Sequence, residues 1–285
     1  MKKNLVLITL FSLTFSSLDL CAQMQRKRAN PDAPVTEIFL APTIIGTGTV
    51  STLQQGDLNY TVKHNFGLVS GGIETLYGLD QGAGVRLGFG YGLSDRWQIG
   101  IGRTNVQDLI DLNSTYRLLR QKRNGDIPVD VAVKVSAGVI TEEIRTFEED
   151  FVDRLNYLAS LMIARKFGER FSFQTSPMIA HFNTVVVEEA GRDVQNTLFG
   201  TGLVAHYRLT EMISFSTEYV PVLSKRTEGT YDPFGVSIEF DTGGHVFQVY
   251  LTSADVFTEQ QLLAGTSNNF LDGEFQIGFT INRVF

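Results

Sequence analysis

What most limits the folds open to this chain is the way its long alternating runs are joined. About twelve strand-like runs fall near 57–67, 83–93, 96–104, 111–121, 128–140, 154–167, 170–182, 196–209, 212–221, 234–241, 245–253 and 273–285. In "VRLGFGYGL" one face carries Val85, Leu87, Phe89 and Tyr91; in "RWQIGIG" it carries Trp97, Ile99 and Ile101; in "VDVAVKVSAGV" it carries Val129, Val131, Val133 and Val135. A period of two is the mark of a strand with one apolar face. Most runs reach ten residues, long for a soluble sheet and right for a tilted transmembrane strand. The connections alternate. "SDR", "GER", "TEM" and "DTGG" are tight, whereas "TEEIRTFEEDFVD", "NTVVVEEAGRDVQ", "VLSKRTEGTYDP" and "SADVFTEQQLLAGTSNNFLD" are long. A meander with short turns at one rim and long loops at the other is the pattern of an outer-membrane barrel. The expectation is an all-β chain: a single antiparallel transmembrane β-barrel of about twelve strands, with short periplasmic turns, long extracellular loops and both termini periplasmic.

The last strand, "GEFQIGFTINRVF", alternates up to a terminal Phe285. No open edge is tolerated in lipid, so this strand must close against the first. Phe285 then falls at the periplasmic interface, in the aromatic girdle. There it is expected to act as an assembly signal, with the barrel-assembly machinery and outer-membrane lipid as partners. "MKK" followed by "NLVLITLFSLTF" and "LCAQ" has the order of a secretory signal peptide, cleaved after Ala22, and the apolar run is too short to span a bilayer. Cys21 invites a lipoprotein reading, but Leu20 sits where a small residue is wanted. Cleavage removes the chain's one cysteine, and with it any disulfide framework or thiolate site. The expected organisation is a signal peptide over 1–22, a periplasmic or lumen-associated segment over 23–56, and an outer-membrane barrel over 57–285. The formal net charge of −7 argues against nucleic acid as a partner.

The stretches "LYGLDQGAGVRLGFGYGLSDRWQIGIGRT", "TEYVP", "TGGHVFQVYLTS" and "FQIGFTINRVF" resemble a family of β-barrel proteins of Bacteroidetes-type bacteria, catalogued as domain of unknown function 5777. The resemblance runs from about residue 60 to the C-terminus. The chain departs from it at Asn65 in "HNFG", where an arginine is expected. The family implies an outer-membrane barrel and no chemistry.

Function must then come from the inward face. Parity assigns to the lumen Arg86, Gln98, Arg117, Lys134, Gln174, His206, Arg208, Glu218, Glu239, Gln248 and Glu274. Gly84, Gly88, Gly90 and Gly92 share the Arg86 face, and Gly100 and Gly102 the Gln98 face. Such a bare wall either leaves water-filled space, receives a packed segment, or relieves curvature. Two segments rich in apolar residues without a strand partner are candidates to fold inward: "FLAPTIIG" before the first strand, and "ETLYGLD" in the first outer loop. "DVFTEQQLLAG" reads as a short helix between Thr258 and Gly265, with Phe257, Leu262 and Leu263 packing on the rim or in the lumen. The acidic run "TEEIRTFEED" reads as a solvated loop.

For catalysis the best candidate is His181 with Asn183, near Glu188 and Glu189. A lipid hydrolase of this kind needs a serine within reach of the histidine, and the nearby Ser176 has the opposite parity. His64, His206 and His245 are isolated in sequence, so no metal site is expected, and no cofactor. The reading is a non-enzymatic barrel, either a small-solute channel or an accessory subunit of an envelope complex whose partner the residues do not name. The alternatives are a lipid-modifying hydrolase or a soluble exported ligand-binding β-barrel.

Overall fold

The computed structural model describes residues 30, 32–142, 150–184 and 195–285. The signal-peptide segment, most of "TEEIRTFEED" and both Glu188 and Glu189 lie outside the described residues. A two-residue-arm hairpin comes first, β1 (Thr43–Ile44) and β2 (Thr47–Gly48). Twelve longer strands follow: β3 (Leu58–Leu68), β4 (Gly84–Ser94), β5 (Trp97–Thr104), β6 (Leu109–Leu119), β7 (Asp130–Ile140), β8 (Leu155–Phe167), β9 (Phe171–Phe182), β10 (Thr197–Arg208), β11 (Ile213–Tyr219), β12 (Phe234–Asp241), β13 (His245–Thr252) and β14 (Gln276–Val284). Each pairs antiparallel with its neighbours in sequence, and β14 pairs with β3 to close the barrel. Every edge is thereby removed, which is the condition for strands to sit in lipid. No helix is long and apolar enough to cross a membrane among the described residues.

The alternation read from the sequence becomes two surfaces. Leu87, Phe89, Tyr91, Ile99, Ile101, Phe173, Ile179, Val249 and Leu251 are exposed outside. Their strand neighbours Gln174, Ser176, Ser216, Glu218, Gln248 and Thr280 are fully buried. Apolar outside and polar inside inverts the soluble arrangement and suits a barrel whose solvent is hydrocarbon. At one rim β4–β5, β8–β9, β10–β11 and β12–β13 are joined by two to four residues; at the other, connections such as 141–154, 220–233 and 253–275 are long. The 105–108 connection is the short member of that second rim, turned by Gln107 and Asp108 at positive φ.

The barrel closes at the two chain ends. Phe285 N donates to the Leu58 carbonyl (2.9 Å) and Leu58 N to the Phe285 carbonyl (3.2 Å). The Phe285 ring itself is exposed, with the Arg283 guanidinium 4.4 Å from its centroid. An exposed ring adds little to the folded state. If it is read during assembly, deleting Phe285 should lower the amount of heat-modifiable barrel in the membrane while the melting temperature of the folded fraction hardly changes. Wild-type levels would show that the ring is dispensable.

Candidate functional site

The bore is not an empty tube. Residues before β3 run through it. In the half toward the short-turn rim, Ile38, Phe39, Ile44, Ile45 and Val50 are buried against Ala132, Met162, Ala164, Val204 and Tyr250 of the wall. The backbone of this segment is held by wall side chains from strands all round the barrel. Gln98 on β5 accepts from Leu53 N (2.9 Å), and Gln174 on β9 accepts from Val50 N (2.9 Å) and donates to the Gly48 carbonyl (2.7 Å). Glu218 on β11 accepts from Gly46 N (3.0 Å) and Thr47 N (2.5 Å). Gln248 on β13 donates to the Thr43 carbonyl (3.0 Å), and Lys63 on β3 to the Ile45 carbonyl (2.6 Å). A strand held from all sides of a closed barrel lies inside it. The reason is hydrogen-bond accounting: an irregular segment in a buried place must find partners for its N–H and C=O groups, and the polar inner wall supplies them.

The tip of this plug is the β1–β2 hairpin, whose two-residue turn is Ile45–Gly46. Ile45 sits at φ 50°. A β-branched residue rarely adopts that region, and holding it there costs of order 1–3 kcal/mol. The turn is gripped from two sides, by Lys63 on the Ile45 carbonyl and Glu218 on the next two amides.

The second occupant of the bore comes from the other rim. The 253–275 connection dips inward as a short helix, α1 (Glu259–Ala264). Gln261 reaches back to accept from Thr258 N (3.3 Å) and its hydroxyl (2.9 Å), which starts the helix; Gly265 at φ 95° ends it. Phe257, Leu262 and Leu263 are buried, the latter two with Leu158, Met178, Ala180, Phe182 and Leu198. Plug and helix meet. A Cβ on Gly46 would stand 2.8 Å from Leu262 Cδ1. Glu259 joins them chemically: one carboxylate oxygen accepts from Gly48 N (2.9 Å), the other pairs with Lys134 of β7.

The remaining inward charges are paired or bonded as well. Arg86 pairs with Asp111 (2.6 Å) and Arg117 with Asp130, whose second oxygen accepts from Gln121 N (3.0 Å). His206 Nδ1 lies 3.0 Å from Ser216 Oγ, and the Ser216 hydroxyl donates to Glu239, with the Phe39 ring edge-on to the imidazole. Arg208 lies at the short-turn rim, paired with Glu37 of the plug (2.8 Å). Glu274 corrects the strand boundary expected from sequence. It precedes β14, at the long-loop rim, and accepts from Asn269 N (2.6 Å). Parity reasoning passed over Lys63, Asp111 and Asp130, although all three share the inward parity of their strands, and Glu259, for which a loop helix offers no parity to read.

The glycines of β4 do receive cargo, over part of their length, whereas on β5 Gly100 is covered by Asn113 and Gly102 by Arg86 of the wall. A Cβ on Gly90 would press on Leu53 (3.2 Å), one on Gly92 would collide with the Gln54 carbonyl, and one on Gly84 would meet Phe257 (2.9 Å). "FLAPTIIG" is in the bore. "ETLYGLD" is not: it forms 3₁₀ turns at the long-loop rim over 69–78, where Ile73, Leu76 and Tyr77 stay exposed. Gly90→Leu forces bulk onto Leu53 and should cost about 1–3 kcal/mol by overpacking. The check is the urea midpoint of heat-modifiable unfolding; an unchanged midpoint would mean that Leu53 moves aside freely.

The comparisons with known proteins agree with this architecture. A family model described as a membrane-bound β-barrel domain (domain of unknown function 5777) matches residues 39–285, which takes in the plug from Phe39 as well as all twelve barrel strands. The chain belongs to this family. A search of curated proteins found no match. Among solved structures, the membrane-bound β-barrel chain resembles an outer-membrane channel from Pseudomonas putida F1 with a TM-score of 0.52 at 13% identity, over 85% of this chain and 100% of that one. It also aligns with the NanC porin (TM-score 0.49, 8% identity, 80% and 98% covered) and with the CymD monoaromatic hydrocarbon channel (TM-score 0.41, 10% identity, 81% and 88% covered). The first of these likenesses supports the barrel fold.

Proposed function

We propose that this barrel is a non-enzymatic outer-membrane channel for small solutes, closed in this state by its own N-terminal segment and by α1. One observation carries the reading. Beside its apolar contacts, the plug backbone is held by hydrogen bonds from wall side chains, one each from Gln98, Gln248 and Lys63 and two each from Gln174 and Glu218. Each such bond contributes about 0.5–1.5 kcal/mol net, or about 1.5–3 where a charge takes part, because water can replace it. A polar wall that water can wet serves a removable stopper better than an apolar one. The strained Ile45 at the hairpin tip works in the same direction. The P. putida relative is described as a channel. A barrel of twelve strands falls between small filled barrels and wide porins, so one segment and one short helix suffice to block it.

The hydrolase alternative finds no support in the geometry. His181 faces outward on β9, its Nδ1 2.8 Å from Thr197 Oγ1. In His206, Ser216 and Glu239 the hydroxyl sits between imidazole and carboxylate. Acyl transfer needs the imidazole in the middle, to take the proton from the serine.

The test is a lock. Thr47 and Gly202 are adjacent across the plug–wall contact: a Cβ on Gly202 would stand 2.7 Å from Thr47 Cγ2. The Thr47→Cys, Gly202→Cys protein, oxidised, should show no openings in a planar bilayer, and dithiothreitol should restore the sparse openings of the unmodified protein. Equal conductance in both redox states would overturn the gate.

A further inference from the structure

Plug, helix and glycine wall do not fill the bore between them. They leave between them a partly open cavity of about 110 Å³. Its floor is the stretch of wall that the plug leaves bare, Gly88 and Gly100, and its upper side is the first turn of α1. A Cβ on Gly88 would touch nothing nearer than Thr61 Cβ at 3.7 Å. At a liquid share of about 30 Å³ per water, the space holds roughly three to four waters or one molecule of about four to five heavy atoms.

The charges around it do not balance. Three cations line the cavity, Lys63, Arg86 and Lys134, against two carboxylates, Asp111 and Glu259. Both carboxylates are already committed, to Arg86 and to Lys134. Lys63 is 3% exposed and donates to one group, the Ile45 carbonyl. Among the described residues no carboxylate stands in ion-pair contact with it. Glu218, the carboxylate across the plug turn, is taken up by the Gly46 and Thr47 amides and does not line the cavity. The register sets Lys63 directly opposite Arg86 on β4. Like charges in that position repel, and a buried cation without a counter-ion is costly. The neutral lining shows the same incompleteness. Asn59 and Asn282 are 5% and 4% exposed, bonded to each other through the Thr61 hydroxyl. Both line the cavity, and Asn59 Oδ1 and Asn282 Nδ2 are buried without partners.

We infer that this cavity is a binding site for a small monocarboxylate, seated against Lys63. The planar carboxylate accepts from the unused protons of the Lys63 ammonium, and its charge offsets the odd cation. The volume suits a ligand of the acetate class. Divalent anions are disfavoured, because Asp111 and Glu259 stand at the same cavity. The inference is independent of conduction, since binding to the closed barrel is an equilibrium property.

The experiment is calorimetric titration of the full-length protein in nanodiscs with sodium acetate, against acetamide as the neutral molecule of the same shape, at constant ionic strength. Acetate should bind saturably and acetamide should not. Two variants separate charge from space. Lys63→Met keeps the bulk and removes the charge; Gly88→Val keeps Lys63 and fills the floor. Each should weaken acetate binding by roughly tenfold or more, about what a charge-assisted hydrogen bond contributes. Heat-modifiable mobility confirms that each variant is folded; if one is not, the other carries the test. Absence of acetate binding to the wild type, equal binding of acetamide, or unchanged binding in a folded variant would overturn the site.

Discussion

Removing residues 38–53 together with residues 257–265 should turn a poorly conducting barrel into a steadily open pore, and removing either segment alone should achieve much less. The plug blocks the half of the bore toward the short-turn rim and α1 the other half, meeting at Gly46, Gly48, Glu259 and Leu262. Two constrictions in one channel are resistances in series, so the one that remains sets the current. The effects of the two deletions are therefore expected to be strongly non-additive, as for any pair of groups that act on one shared space. Planar-bilayer recordings of the four proteins are the measurement. If deletion of 38–53 alone gives the full conductance, α1 is an ornament of the rim. If the double deletion stays closed, the wall collapses inward and the reading of a water-tolerant bore fails.

The second large effect is expected at Glu218. Its carboxylate is 1% exposed and holds the amides of Gly46 and Thr47. Hydrogen bonds to a charged acceptor contribute about 1.5–3 kcal/mol, which corresponds to roughly 10- to 100-fold in an opening equilibrium. Glu218→Ala should therefore speed hydrogen exchange at Gly46 and Thr47 by about that factor, while Val50, held by Gln174, changes less. Glu218→Gln keeps an acceptor and should lie between. The variant also takes away the nearest anion across the turn from Lys63, so a loosened hairpin is the expected structural outcome. Exchange at Gly46 unchanged in Glu218→Ala would mean that the hairpin is held by its own packing.

The barrel was legible in the sequence because lipid imposes a rule on every residue of a strand. Phe171–Phe182 alternates an outer row of Phe171, Phe173 and Ile179 with an inner row of Ser172, Gln174 and Ser176, and a register slip would put Gln174 in hydrocarbon. The expected strand limits accordingly lie close to those observed, within a few residues at most. The plug obeys no such rule. "FLAPTIIGTGTV" places Phe39, Ile44, Ile45 and Val50 inside by contacts with strands far along the chain, and neither a period of two nor of 3.6 reveals them. Its one local sign was negative evidence, the run of glycines opposite it. The same applies to Glu259, which reads as an ordinary first-turn acid of a helix and whose role depends on Lys134 and Gly48. Glu274 misled for the opposite reason. It continues the alternation of β14 beyond the point where pairing stops, and alternation alone carries no signal for a strand's end.

The plug is joined to β3 by only Gln54–Asp57, and this short connection is itself anchored, Gln55 N donating to Asp95 (3.1 Å). A tether of that length sets the effective concentration of the plug at its own binding site, on the order of millimolar or above for short linkers. Re-entry after an opening is a unimolecular event, and a free peptide or solute of modest affinity competes poorly against it. An agent that opens such a barrel for any length of time must therefore keep hold of the plug once it is outside; displacing the hairpin from within the bore would be undone as fast as the tether swings back.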